Sequence, residues 1–261
     1  LLPKTMIRSI SLALESYGRA WPILWQPALR PYRWLPLLLQ IVLFAGAMSL
    51  LFQYSRPLSD TILSLWPWPV SSSWQWVESL LLWLLRLILL LVYFSVLKYL
   101  TLIVMTPFLT LLSEKTEQIQ TGRSYPFSLG QVLRDLLRAV QINGFNLLAE
   151  LLITGGLLLF TWLPVVGWLS PFLILAVQSY FFGFSLLDFN TERWRYSFRA
   201  TRRWMWRHKW YVTTQGLVFH FLFLIPVLGW IWGPLWSTIA GTLGFLRWQE
   251  QEQSPIAEFQ K

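Results

Sequence analysis

Leu151–Leu187, LLITGGLLLFTWLPVVGWLSPFLILAVQSYFFGFSLL, is 37 residues long and contains no Asp, Glu, Lys, Arg or His. Its middle, WLPVVGWLSP, places Pro164, Gly167 and Pro171 close together. A second run of 37 residues, Trp210–Leu246, repeats that punctuation as LIPVLGWIWGP, with Pro226, Gly229, Gly233 and Pro234. Proline removes a backbone donor and glycine frees the backbone, so such clusters end helices and make turns. Each run therefore predicts two helices joined by a tight apolar turn. Leu151 to Leu163 is 13 residues, about 20 Å of helix, and Trp210 to Ile225 is 16, about 24 Å. Both fall short of the roughly 30 Å hydrocarbon core of a bilayer. The spacing predicts hairpins that enter and leave on one side, with ordinary spanning hairpins that draw in polar flanks as the alternative.

Composition agrees with a membrane setting. Of 261 residues, 55% are hydrophobic and 13% charged, against about 25% charged in a soluble domain. Too few polar groups exist to cover a globular surface in water, so an ordinary soluble enzyme and a disordered chain are both excluded. With no Cys in the sequence, disulfides, thiolate metal sites and thiol catalysis are ruled out. The formal charge of +9 reads as cytoplasmic anchoring and contact with anionic lipid rather than nucleic acid.

The positions of the charges divide the chain, read as one membrane domain. Residues 34–113 hold two spanning helices: Trp34–Ser55, then a long one from Ser79 to Ser113 interrupted by Arg86 and Lys98, with an external loop over 56–78. The remaining pieces are 1–33, 114–150, the hairpin 151–187, a basic linker 188–209, the hairpin 210–246 and a tail 247–261. Assigning 1–33, 114–150, 188–209 and 247–261 to one face puts 18 of the 21 Lys and Arg there, which makes that face cytoplasmic. The fold class expected is an all-α integral membrane protein with two long transmembrane helices and two re-entrant or spanning hairpins. The shared turn punctuation also suggests an internal repeat.

Candidate functional residues follow from the cost of charge in lipid. Arg30 and Arg33 precede an apolar helix, where free N–H groups, the helix dipole and a forked cation together favour an anion; a positive-inside anchor is the plainer reading. Arg86 and Lys98 read as residues that snorkel to opposite interfaces, with Arg86 near a pathway mouth as the alternative. Pro107 kinks the second helix before Glu114 and Glu117, which share a face at i, i+3. These carboxylates could serve hydrolysis, but ion pairing to the basic segment is the better account. That segment, ERWRYSFRATRRWMWRHKW, reads as an amphipathic interfacial helix laying Arg199, Arg202 and Arg203 on lipid headgroups. His208 stands alone, and His220 reads as a hydrogen-bonded packing residue. No metal, nucleotide or other cofactor motif occurs.

Four stretches taken in order resemble the CysZ family, bacterial relatives of the etoposide-induced membrane protein: QPALRPYRWLPLLL (26–39), TPFLTLLSEKTE (106–117), LPVVGWLSPFLILAVQSYFFGFSLLDF (163–189), and IPVLGWIWGP (225–234) with AGT (240–242). The resemblance, from about Tyr17 to Phe245, implies two long spanning helices, two membrane-dipping hairpins, homo-oligomers and sulfate uptake for cysteine synthesis. It also implies an anion-binding stretch G-x-R-R-F-x-x-x-P-L-L-x-N. Arg30 falls on its first Arg, and Pro36, Leu37 and Leu38 on its Pro-Leu-Leu. Ala28 stands in place of the Gly, Pro31 of the second Arg and Gln40 of the Asn; Pro31 has no N–H to offer an oxyanion, and Arg33 is the nearest substitute.

The reading expected is a multi-pass permease or channel of the bacterial inner membrane for sulfate or a related small anion. It is not an enzyme and carries no cofactor. Arg30 and Arg33 hold the anion; Glu114, Glu117, Pro107, Pro164, Gly167, Pro226 and Gly229 shape the passage. A non-transporting organiser that binds anionic lipid or partner proteins is the alternative, and a membrane-embedded enzyme ranks last.

Overall fold

The computed structural model describes residues 4–31, scattered positions between 34 and 61, and 75–253 apart from 124–127, 162 and 226–227. Side chains are described from Ser95 onward in the helix that starts at Gln75. Among these residues the chain is all-helical. We number the helices α1 (Lys4–Leu24), α2 (Gln75–Thr121), α3 (Leu129–Leu159), α4 (Pro164–Arg193), α5 (Phe198–Arg207), α6 (Lys209–Phe223) and α7 (Leu228–Gln253), with a 3-10 turn at Pro27–Leu29 after α1. The described positions from Arg30 to Gln53 are helical as well. Arg33, Arg56 and Pro226, and the side chain of Arg86, lie outside the described residues.

The Pro-Gly corners lie where the charge-free runs place them. After α3 the chain turns through Phe160 to Leu163, and Pro164 opens α4 at a position where its missing N–H costs nothing. The Gly167 N–H donates to the Leu163 carbonyl at 2.7 Å. A Cβ at Gly167 would strike the Thr161 carbonyl oxygen. The second corner repeats the construction: the Gly229 N–H donates to the Ile225 carbonyl at 2.9 Å, and a Cβ there would strike the Leu222 carbonyl. In both, the glycine lies three residues past a proline and lets the incoming helix sit directly against the carbonyls that end the outgoing one. Gly167→Ala should lower stability by about 1–3 kcal/mol, the usual range for forced overpacking, read as a fall in the unfolding midpoint of the purified protein in detergent.

Limb lengths differ from the expectation at the first hairpin. The helix bearing 151–159 starts at Leu129 and runs 31 residues, about 46 Å. The short-limb argument therefore applies to α6 alone, with its 15 residues, about 22 Å. Two of the described helices are long and apolar enough to cross a membrane, Leu129–Leu159 and Gly167–Arg193. The second long helix expected from Ser79 is a single helix, α2, of 47 residues.

α4 lies at the centre of the packing. It meets α3 on one side and α6 on the other, and its contact with α6 is backbone to backbone. A Cβ at Gly183 would strike the Val212 carbonyl, and one at Gly216 the Ser179 carbonyl. Ser179 and Gly183 at i, i+4 on α4 and Gly216 on α6 permit this approach, a packing mode that works without help from water exclusion. α1 buries Leu12, Ala13, Ser16, Tyr17, Ala20 and Leu24, a helical stripe set against α6 and α7. There Tyr17 OH donates to the Gln215 carbonyl (2.9 Å) and its oxygen shares a hydrogen bond with Ser237 Oγ (2.8 Å), and Trp236 Nε1 donates to the Tyr17 carbonyl (2.9 Å). Trp21 against Trp236 and Trp25 against Trp232 extend the seam.

Candidate functional site

Among the described residues three ionic clusters lie between the helices α2 to α5, two of them almost wholly out of contact with water. The deepest joins α2 to α3. Lys98 Nζ lies 2.8 and 2.7 Å from the two oxygens of Glu150, and the side chains are 12% and 1% exposed. Tyr99 OH donates to Glu150 Oε2 at 2.6 Å and Ser95 Oγ to Oε1 at 3.1 Å. The ammonium also faces the rings of Tyr99 (4.7 Å) and Phe182 (5.5 Å). A buried carboxylate survives only when its lone pairs are filled and its charge is matched; Glu150 has both conditions met. Phe182 lies 18 residues past Pro164, so this pair sits about 27 Å along α4 from the Pro-Gly corner.

Lys98 thus departs from the snorkelling expected of it. Extending to an interface would leave Glu150 uncompensated, and the pair is favoured over either separate arrangement. Sequence reading overlooked Glu150 because it serves as the boundary of the charge-free run. The signal available was Lys98 itself, since a cation inside an apolar helix calls for an anion at matching depth.

The second cluster joins α2 to the last turn of α4. Arg193 Nε lies 3.1 Å from Glu117 Oε2, with side chains 2% and 0% exposed. Arg193 also donates to Asn190 Oδ1 at 2.6 Å, and Ser113 bridges Asn190 (3.3 Å) to Thr242 of α7 (2.6 Å). The expected pairing of the carboxylates with the basic segment is therefore realised by Glu117. Arg193 in turn belongs to α4 and faces the protein rather than lipid. Glu114, one turn away, is half-buried at a shallow cleft with Pro107, Thr110 and Asp135. Burial raises its carboxyl above the ordinary range, opposed by Arg193 and reinforced by Asp135 and Glu117.

The third cluster holds α5 to the bundle. Arg138 of α3 donates to Asp188 (2.8 Å), Thr201 (3.0 Å) and the Tyr196 carbonyl (2.7 Å), with Glu192 at 4.0 Å. The basic segment is accordingly divided in three. α4 ends at Arg193, the chain turns at Arg195 with φ of 55°, and α5 starts behind Ser197, whose hydroxyl caps the Ala200 N–H. α5 buries Thr201, Trp204 and Met205 and leaves Arg199, Arg202 and Arg203 exposed.

The remaining expected residues are not gathered into one site. Arg30 is exposed and begins the helical stretch after the 3-10 turn. Gly167 and Gly229 lie at the corners, whereas Glu117 meets α4 at its far end, about 44 Å from Pro164 along that helix. His220 is a packing residue, its Nδ1 3.2 Å from the Gly216 carbonyl. His208 is buried between Trp204 and Trp248. Among the described residues no group of His, Asp and Glu is arranged to hold a metal ion.

Residues 16–234 match the family described as Sulfate transporter CysZ/Etoposide-induced protein 2.4. The chain is 27% identical over 239 residues to a protein of Pseudomonas syringae pv. tomato named Sulfate transporter CysZ, covering 88% of this chain and 90% of that protein. A protein of the same name from Pectobacterium atrosepticum is 28% identical over 219 residues, covering 82% and 78%. One from Vibrio cholerae is 27% identical over 204 residues, covering 77% and 80%.

Proposed function

Because the chain belongs to the sulfate transporter CysZ/etoposide-induced protein 2.4 family, we propose that it is a multi-pass permease of the bacterial inner membrane for sulfate or a related small anion. The family is one of transporters, not enzymes, and no covalent step is assigned to this chain. The observation that carries the reading is the Lys98–Glu150 pair, charged groups buried between apolar helices where their desolvation is costly. Glu150 occupies the place that a passing anion would take on Lys98.

Arg30, exposed at a helix start, is the proposed entry site, assisted by Arg33. Glu114 and Glu117 shape the route from α2, the latter by fixing Arg193. The segments 1–33, 114–150, 188–209 and 247–261 are assigned to the cytoplasmic face. The short α6 supports a second hairpin that dips into the bilayer and returns, while α3 and α4 are long enough to cross it. Homo-oligomers and contact with anionic lipid complete the proposal. The organiser reading is not favoured, since the relatives compared above are all named as transporters.

Purified protein in liposomes provides the test. Labelled sulfate should enter, and Arg30→Ala should slow entry roughly tenfold to a hundredfold, from the about 1.5–3 kcal/mol of a hydrogen bond to a charged group. Absence of flux for sulfate, sulfite and thiosulfate in well-folded wild-type protein would overturn the reading.

A further inference from the structure

Beside the ionic clusters runs an open groove of about 480 Å³, within the roughly 300–1,000 Å³ of sites that enclose small ligands. Its walls are Phe145, Ala149 and Ile153 of α3 and Tyr180 and Phe184 of α4. Its rim is Arg199, Arg202 and Arg203 of α5, with Trp206 beside them. The α3 residues fall at i, i+4 and i+8, so they form one stripe leading about 12 Å from the rim toward the Pro-Gly corner. Apolar walls ending in a rim of three cations do not suit a free inorganic ion, which gains nothing from the stripe. They suit a molecule with an anionic head and an apolar tail.

The rim charges are available for such a head. Arg138, Arg193, Arg19 and Arg247 all have carboxylate partners. Among the described residues no ion pair engages Arg199, Arg202 or Arg203, and all three are exposed. Arg202 lies over the Phe145 ring, its guanidinium carbon 4.8 Å from the ring centroid, and Phe145 in turn packs edge-on against Phe198. A cation–π contact positions the guanidinium without an acceptor, and a guanidinium so held can present a fork to a phosphate. Trp206, 66% exposed, meets Tyr180 edge-on at 6.2 Å, and tryptophan beside Arg and Lys is the composition of a membrane–water interface. Arg138 anchors α5 to α3 and α4 through Thr201, the Tyr196 carbonyl and Asp188, so rim and walls are fixed relative to one another.

We infer that this groove is a binding site for one anionic glycerophospholipid, its phosphate on Arg199, Arg202 and Arg203 and one acyl chain along Phe145, Ala149 and Ile153. This deepens the membrane reading above and rests on it, but does not require that the anion carried be sulfate. The lipid fills the seam between α3, α4 and α5.

Native mass spectrometry of the full chain released from detergent tests this, with phosphatidylglycerol, phosphatidylcholine or inorganic phosphate added. One phosphatidylglycerol should be retained per chain, at least tenfold in preference to phosphatidylcholine, and inorganic phosphate should not displace it. The triple variant R199Q/R202Q/R203Q should lose that preference. Ile153→Glu should weaken retention at least tenfold with the rim intact; Ile153 is 44% exposed, so this variant does not challenge the core. Equal retention of both lipids, displacement by inorganic phosphate, or unchanged binding by Ile153→Glu would each overturn the inference. Sulfate uptake measured on the same preparations separates the two readings: lipid retention without flux leaves the groove standing and removes the permease, and flux without selective retention does the reverse.

Discussion

Glu150→Leu should destabilise the folded protein by about 3–5 kcal/mol, the range measured when one partner of a buried ion pair is removed. The loss comes from Lys98, which keeps its 12% exposure and its aromatic neighbours but no longer has an anion. Tyr99 and Ser95 lose their acceptor at the same time. Lys98→Met should cost a similar amount, by stranding the carboxylate. The double variant Lys98→Met/Glu150→Leu is the discriminating one: it should recover most of the stability, because two apolar side chains of similar volume replace the pair without a desolvation cost. Fluorescence-detected unfolding in detergent reads all three. If the double variant were as unstable as the worse single one, the pair would not be acting as a unit. Sulfate flux through the double variant then asks whether the charge at that depth serves passage; the permease reading expects it to be lost while the fold is retained.

Gly216→Leu is the second large effect, expected to exceed about 3 kcal/mol, the upper end of ordinary overpacking. No rotamer change relieves the clash, since the obstacle is the Ser179 carbonyl and not the tip of a flexible side chain. α4 and α6 would have to separate along their length. That would take Gly183 from Val212 and loosen Phe182 from Phe219, whose rings lie 4.1 Å apart. Gly18→Ala is the control: nothing lies within 4 Å of the added carbon, so it should be neutral or gain up to about 1 kcal/mol of helix propensity. Retained yield and an unchanged elution profile for Gly216→Leu would show that the two helices are not in backbone contact.

The corners and the charged side chains differ in how far the sequence discloses them. Pro164 with Gly167, and Pro226 with Gly229, act locally, through the backbone of their own few residues, and local effects are legible in one dimension. The helix limits were harder to read. α3 passes without a break through Arg134, Asp135 and Arg138 of the segment assigned to the cytoplasmic face; of these, Arg138 finds its partners in Asp188 and Thr201, both distant in sequence. Arg193 illustrates the same limit. Its neighbours assign it to a basic surface segment, but a turn at Arg195 with a positive φ separates it from α5 and directs it toward Glu117. Pairings of this kind depend on which helices become adjacent, and composition carries no record of that.

The Tyr17–Ser237 hydrogen bond has a consequence for biosynthesis. The two residues are 220 positions apart, and the tryptophan seam around them joins α1 to α7. While the ribosome is still translating the middle of the message, α1 has no partner for its buried stripe, and the phenolic hydroxyl of Tyr17 has no acceptor within the protein. Such long-range closure is slow and leaves a nascent chain exposed. α1 must therefore wait at the membrane surface or on a chaperone until α7 has been made.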